Sequence, residues 1–132
     1  MPKKATKASA SRRGPATRRI AVKRAYDEPS AADGVRILID RLWPRGITKA
    51  ALKHDAWPRA LTPSNGLRKW YGHDPERFAE FRRRYREELA AHQDEVDALR
   101  ALIKGRTATL VTATRELDLS HGEVLREILE KP

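Results

Sequence analysis

Apolar and basic residues alternate from Arg19 to Ala25, with Ile20 and Val22 set against Arg19, Ala21 and Lys23. A period of two predicts a half-exposed strand near a sheet edge. A loop with Pro29, Asp33 and Gly34 follows, and then Val35 to Ile39, mostly apolar and β-branched, reads as a more central strand. It ends in Asp40-Arg41, after which Pro44 and Gly46 break the chain. Ser64 is placed to cap a short helix carrying Leu67 and Trp70, with Gly72 closing it. Asp74 and Pro75 form a strong start signal for the next helix, whose Phe78, Phe81, Tyr85 and Leu89 share one face. A further helix from about Asp94 has Val96, Leu99, Leu102 and Ile103 as its stripe and stops at Gly105. Thr107 to Thr112 is again strand-like. Ser120-His121-Gly122-Glu123 fits a capping box opening a last helix that buries Val124, Leu125, Ile128 and Leu129.

Strands separated by helices imply a small single α/β domain. The expected sheet is mixed, with Val35–Ile39 and Thr107–Thr112 as parallel central strands flanked by helices. At 132 residues the chain suits one domain, and folding a chain of this size buries roughly two-thirds of its unfolded surface. There is no cysteine, which excludes disulfides, thiolate zinc sites and a Cys nucleophile. No apolar run approaches the roughly 20 residues of a spanning helix, so no membrane partner is expected.

The net charge of +10 is unevenly spread. Nine of the 28 basic residues and none of the 18 acidic ones lie in the first 24 positions, which leaves +1 on the rest. Residues 1–17, rich in Lys, Arg, Ala, Ser and Pro, have too little apolar area to repay ordering and read as a disordered cationic tail ahead of a domain at 18–132. The tail has no apolar segment of a secretory signal, and the chain reads as cytoplasmic. Uncompensated charge of this kind suits sequence-blind contact with nucleic acid, with a log–log salt slope of at most about −8 if nine basic groups met phosphates. It also suits a purely solubilising tail. The run Arg82, Arg83, Arg84 and Arg86 is different, because Glu80, Glu87 and Glu88 stand at helix spacing to pair with it.

Three segments carry a family resemblance: DRLWPRG (Asp40 to Gly46), LRKWYGHDPERFAEFRRRYREEL (Leu67 to Leu89) and TLVTATRELDLSHGEVLREIL (Thr109 to Leu129). In this order, from about Ile20 to Leu129, the chain closely resembles the bacterial domain of unknown function 488, YeaO-like group. The resemblance implies a small cytoplasmic α/β protein and no particular reaction. The methyltransferase label sometimes given to members finds no glycine-rich methyl-donor loop here. Near its end the chain departs from the family's pattern of a basic residue and Asp, then Asn before the last helix. It carries Arg115, Glu116 and Ser120 in those places.

In open α/β sheets ligands bind beyond the carboxyl ends of parallel strands. Asp40 and Arg41 leave one central strand there, and Thr112, Thr114 and Arg115 leave the other. The expected site is a pocket for an anionic, phosphorylated small molecule, lined by Asp40, Arg41, Trp43, Arg45, Arg115, Glu116, Ser120 and His121. Arg41, Arg45 and Arg115 would grip the anion bidentately. Asp40 would orient the guanidinium groups, Trp43 would wall the pocket, and the helix starting near Ser120 and His121 would add its dipole. The bland alternative is that Asp40 pairs with one of these arginines and locks the Trp43-Pro44 turn. His73 or His121 beside Asp40 or Glu116 would offer acid–base chemistry, although a turn residue and a solvent-facing first-turn residue are the plainer readings. No cofactor is implied, and four scattered histidines without H-x-x-H spacing do not suggest a metal site.

Overall fold

The computed structural model describes residues 20–131, so the expected tail at 1–17 lies outside the described residues, as do 18, 19 and 132. Three strands, β1 (Ile20–Arg24), β2 (Val35–Leu38) and β3 (Ala108–Thr112), form one sheet in the order β1-β3-β2. Both neighbouring pairs run parallel, with Ile20 opposite Ala108 and Val35 opposite the same residue from the other side. The α/β class is as expected, but the sheet is parallel throughout the described residues rather than mixed. The connection from β1 to β2 does not close a hairpin, and β3 enters between them after the helices.

Among the described residues β3 alone is therefore central. It is buried along its whole length, and its polar side chains are satisfied inside. The Thr109 hydroxyl donates to the Asp33 carbonyl at 2.8 Å, and that of Thr112 to Asp40 Oδ1 at 2.6 Å. Strand β2, expected to be central, lies at the sheet's border, where Leu38 N donates to Ala56 O and a single bridge pairs Ile37 with Ala56. Gly34 lets β2 start there: at φ 65° a Cβ would stand 2.0 Å from the Thr107 carbonyl oxygen.

The helices are α1 (Lys49–Leu52), α2 (Asn65–Tyr71), α3 (Phe78–Ala90), α4 (Gln93–Ile103) and α5 (His121–Glu130). Ser64 caps α2, its side chain accepting from Leu67 N, and Gly72 ends it in the left-handed region. Asp74 accepts from Glu76 N to open a 3-10 turn, Pro75–Arg77, that leads into α3. The strands' period of two assigns their faces. Ile37, Ile39 and Leu110 join the larger core with Phe81, Tyr85, Leu89, Val96, Leu99, Val124 and Leu125 from the helices. Leu38 and Val111 point the other way, into a smaller cluster with Leu52, Trp43 and Trp57. Both faces are thus covered, as a parallel sheet requires. Leu102, expected in the α4 stripe, is 42% exposed, because the helix turns Leu99 and Ile103 inward instead.

Among the described residues, three of the four arginines of the run on α3, all but Arg86, are paired at the helix surface. Arg83 bridges Glu80 and Glu87, Arg84 also meets Glu80, and Arg82 crosses to Glu127 on α5. Hydrogen bonds from Arg83 and Arg84 hold the Glu80 carboxyl down at about 2. Glu88 faces inward from the same helix and accepts from both the backbone N–H and the hydroxyl of Ser64.

Candidate functional site

Strands β2 and β3 end side by side because they are paired in register, so the residues that follow them are neighbours despite some 70 positions of separation along the chain. Asp40 follows β2 and turns its carboxylate toward the end of β3. Oδ1 accepts from the Thr112 hydroxyl at 2.6 Å, and Oδ2 accepts from Ala113 N at 2.8 Å. His121, the first residue of α5, places Nε2 3.2 Å from Asp40 Oδ1 and 2.9 Å from the Ile39 carbonyl oxygen. A carbonyl and a carboxylate can only accept, so Nε2 carries the proton. Nδ1, left without a hydrogen-bond partner among the described residues, is the ring nitrogen available for other chemistry. Burial pushes the Asp40 carboxyl up, but the hydrogen bond and charge of His121, with the donors from Thr112 and Ala113, outweigh it and hold the group below its ordinary value. A half-buried carboxylate steering one nitrogen of an imidazole is the arrangement that orients a proton acceptor.

Above this pair opens a cavity of about 620 Å³, within the range of small-molecule sites. All eight residues expected from the sequence, Asp40, Arg41, Trp43, Arg45, Arg115, Glu116, Ser120 and His121, line it. The expected role of Asp40 is corrected, however. It orients no guanidinium group; the hydroxyl and N–H at the end of β3 and the His121 ring fill its oxygens. For the same reason it does not pair with an arginine to lock the turn. That turn is held by the Trp43 and Trp57 indoles, whose N–H groups donate to Ile47 O and Asp40 O, each at 2.6 Å. The expected capping box is also not formed. The buried Ser120 hydroxyl donates back to Leu117 O, and its side chain caps nothing in α5.

The cavity wall carries four arginines, Arg41, Arg45, Arg68 and Arg115. None has a carboxylate within ion-pair distance among the described residues. Arg41 reaches only the Pro63 carbonyl, at 3.4 Å, and Arg68 only Asn65 Oδ1, at 3.2 Å. Against them stand two wall carboxylates, Asp40, already occupied, and Glu116.

Arg68 and Tyr71 were not among the expected site residues, and His73 was expected only as an alternative acid–base group; all three reach the cavity from α2 and the turn after it. No local pattern marks Arg68. Tyr71 and His73 lie inside the WYGHDPERF segment, which was the available signal. Tyr71 donates its hydroxyl to Leu119 O at 2.6 Å and stacks on Phe81, tying α2 to the approach of α5. His73 holds a positive φ of 59° in the turn and also lines the cavity. His54 packs edge-on to Trp43 instead, and His92 lies near Glu95 at the surface. Among the described residues no three His, Asp or Glu side chains gather as a metal site, and no helix is long and apolar enough to cross a membrane.

Comparison with known proteins adds a family. The model described as "Inactive DUF488-N3 subclade" matches residues 19–132. The Mycobacterium tuberculosis protein named Uncharacterized protein Rv3073c is 45% identical over 112 residues, covering 84% of this chain and 93% of that protein. The Escherichia coli protein named Uncharacterized protein YeaO is 41% identical over 110 residues, covering 83% and 96%. No solved structure matches the chain. With the family model spanning the whole described domain and both relatives aligned nearly end to end, this chain belongs to the DUF488 family, in its YeaO-like group.

Proposed function

We propose that the cavity at the ends of β2 and β3 binds a phosphorylated small molecule. The observation that carries this reading is the set of four cavity-wall arginines without carboxylate partners among the described residues, while Arg82, Arg83 and Arg84 of α3 are paired and only Arg86 of that run is not. Arginines without carboxylate partners along one concave surface suit a phosphate, whose oxygens accept two N–H bonds from one fork. The first turn of α5 adds the favourable end of a helix dipole at Ser120 and His121. Asp40 and Glu116 are the two wall carboxylates against four arginines, and the Asp40 oxygens are directed to His121, Thr112 and Ala113, so the wall keeps an excess of positive groups. Binding rather than conversion is also the reading favoured by the word "Inactive" in the family description.

The test is thermal shift and calorimetry with inorganic phosphate, ribose 5-phosphate and adenosine monophosphate. Arg115→Ala and Arg41→Ala should each weaken binding at least tenfold, the scale of one lost charge-assisted contact, with melting temperature nearly unchanged. No shift with any of the three probes would remove the reading.

A second reading rests on the sequence: an accessory contact with nucleic acid through the basic N-terminal segment. Its charge is partly accounted for, since Lys23 donates to the Asp33 carboxylate at 3.0 Å. Seven basic residues remain in positions 1–19, with no acid among them.

A further inference from the structure

Resting on the anion site above, we propose that its ligand carries a flat ring beside the phosphate, as a nucleoside monophosphate does, and that the ring lies against Tyr26, Leu42 and Trp43. Leu42 is 70% exposed and Tyr26 47%, and both line the cavity rather than a distant surface. Leu42 is held out by its neighbours, with Arg41 turned to Pro63 and Trp43 packed on Trp57. An exposed leucine at the rim of a cationic cavity gains from a ligand that covers it.

Tyr26 and Trp43 offer the ring surface that their other partners leave uncovered: Arg24 lies over the Tyr26 ring at 5.2 Å, and His54 and Trp57 meet Trp43 edge-on. The Tyr26 hydroxyl is used on the Arg45 carbonyl at 3.0 Å, and the Trp43 N–H on Ile47. With their polar ends occupied, they suit a ring and not a polar chain. Their position beside the anion site is fixed by the same contacts. The Tyr26 bond fastens it to the residue that bears the Arg45 guanidinium, and Leu42 and Trp43 lie between Arg41 and Arg45 in the chain. Charge and apolar surface thus alternate within one short loop, and a ligand meeting both has its anion and its ring close together. A cavity of about 620 Å³ accommodates a molecule of nucleotide size. Inorganic phosphate would leave the rim uncovered.

Calorimetry on the full chain with adenosine monophosphate and ribose 5-phosphate separates the ring from the phosphate. The nucleotide should bind about tenfold or more tighter, the scale of one base stacked on an aromatic surface. Leu42→Ser and Tyr26→Ala should erase most of that ratio while changing ribose 5-phosphate affinity less than about twofold. Tyr26→Phe, which keeps the ring and loses only the bond to Arg45 O, should retain more of the ratio than Tyr26→Ala, and melting curves should confirm that all three variants are folded. Equal affinities for the two probes would overturn the ring assignment and leave the anion site standing. A ratio that survives both Leu42→Ser and Tyr26→Ala would also overturn it, by placing the ring elsewhere. Failure of both probes to bind would overturn the anion site and this assignment together.

Discussion

His121 Nε2 sits 3.2 Å from Asp40 Oδ1 and 2.9 Å from the Ile39 carbonyl oxygen, so one imidazole ties the start of the last helix to the end of β2. The contact joins residues 81 positions apart and closes the floor of the cavity. It has structural consequences that are separable from ligand binding.

Asp40→Asn should destabilise the fold at neutral pH by about 1–3 kcal/mol, because an amide presents donors where Thr112, Ala113 and His121 already donate. The folded-state pKa of Asp40 is lowered, so its contribution is complete above the ordinary carboxylate value. It is lost as pH falls through the lowered value, where folded and unfolded chains bind the same proton. Urea titrations at neutral and at acid pH check this: the gap between wild type and variant should narrow as the solution is acidified.

His121→Leu should shift the acid transition upward. Two of the influences holding the Asp40 carboxyl down come from His121, and burial, which opposes them, remains. The carboxylate then protonates at a higher pH in the folded chain, and its stabilising contribution becomes smaller. Acid unfolding followed by circular dichroism should begin at higher pH than in wild type; an unchanged curve would show that Thr112 and Ala113 alone set the charge.

Two glycine-to-alanine changes should behave in opposite ways. At Gly122, in the first turn of α5, a Cβ would stand 2.9 Å from Val22 Cγ1 and 3.1 Å from Ile39 Cδ1, pressing the helix off the sheet. Overpacking of this kind costs about 1–3 kcal/mol. At Gly66 in α2 nothing lies within 4 Å, and alanine should stabilise by about 0.5–1 kcal/mol through its better helix propensity. Equilibrium denaturation of the two variants gives the comparison directly.

If the N-terminal segment meets nucleic acid, the affinity of the full chain for duplex DNA should fall with salt at a log–log slope of at most about −6, seven phosphate contacts at 0.9 each. Removing residues 1–17 takes away five of the seven basic groups and should flatten the slope by about 4–5. Cavity ligands should bind both forms alike. Duplex binding that survives the deletion unchanged would assign the contact to another surface.

That these eight residues would line one cavity was legible because strand ends and helix starts are marked locally. Asp40-Arg41 follows an apolar β-branched run, Arg115-Glu116 follows another, and in a parallel sheet such ends fall on one side. The partners of those residues were not legible. Asp40 beside several arginines suggests an ion pair, but the nearest donors belong to β3 and α5 and become neighbours only when the strands pair. Arg36 makes the same point. It sits inside an apolar run yet is buried, with Nε donating to Leu52 O and Nη1 meeting Asp33. No nearest-neighbour pattern announces such a site.

The sequence by itself determined the local elements: one alternating strand and two apolar β-branched ones, helical segments opened by Ser64 and Asp74, the first closed by Gly72, and a largely paired charged face on α3. These depend on backbone preference and on side chains a few positions apart, interactions that exist before the chain folds. Tertiary structure decided that β3 takes the centre, that Asp40 is held by His121 and not by arginine, and that Arg68 and Tyr71 complete the cavity. Those outcomes depend on which distant segments the crossover connections bring into contact, and that proximity exists only once the strands and helices have packed together.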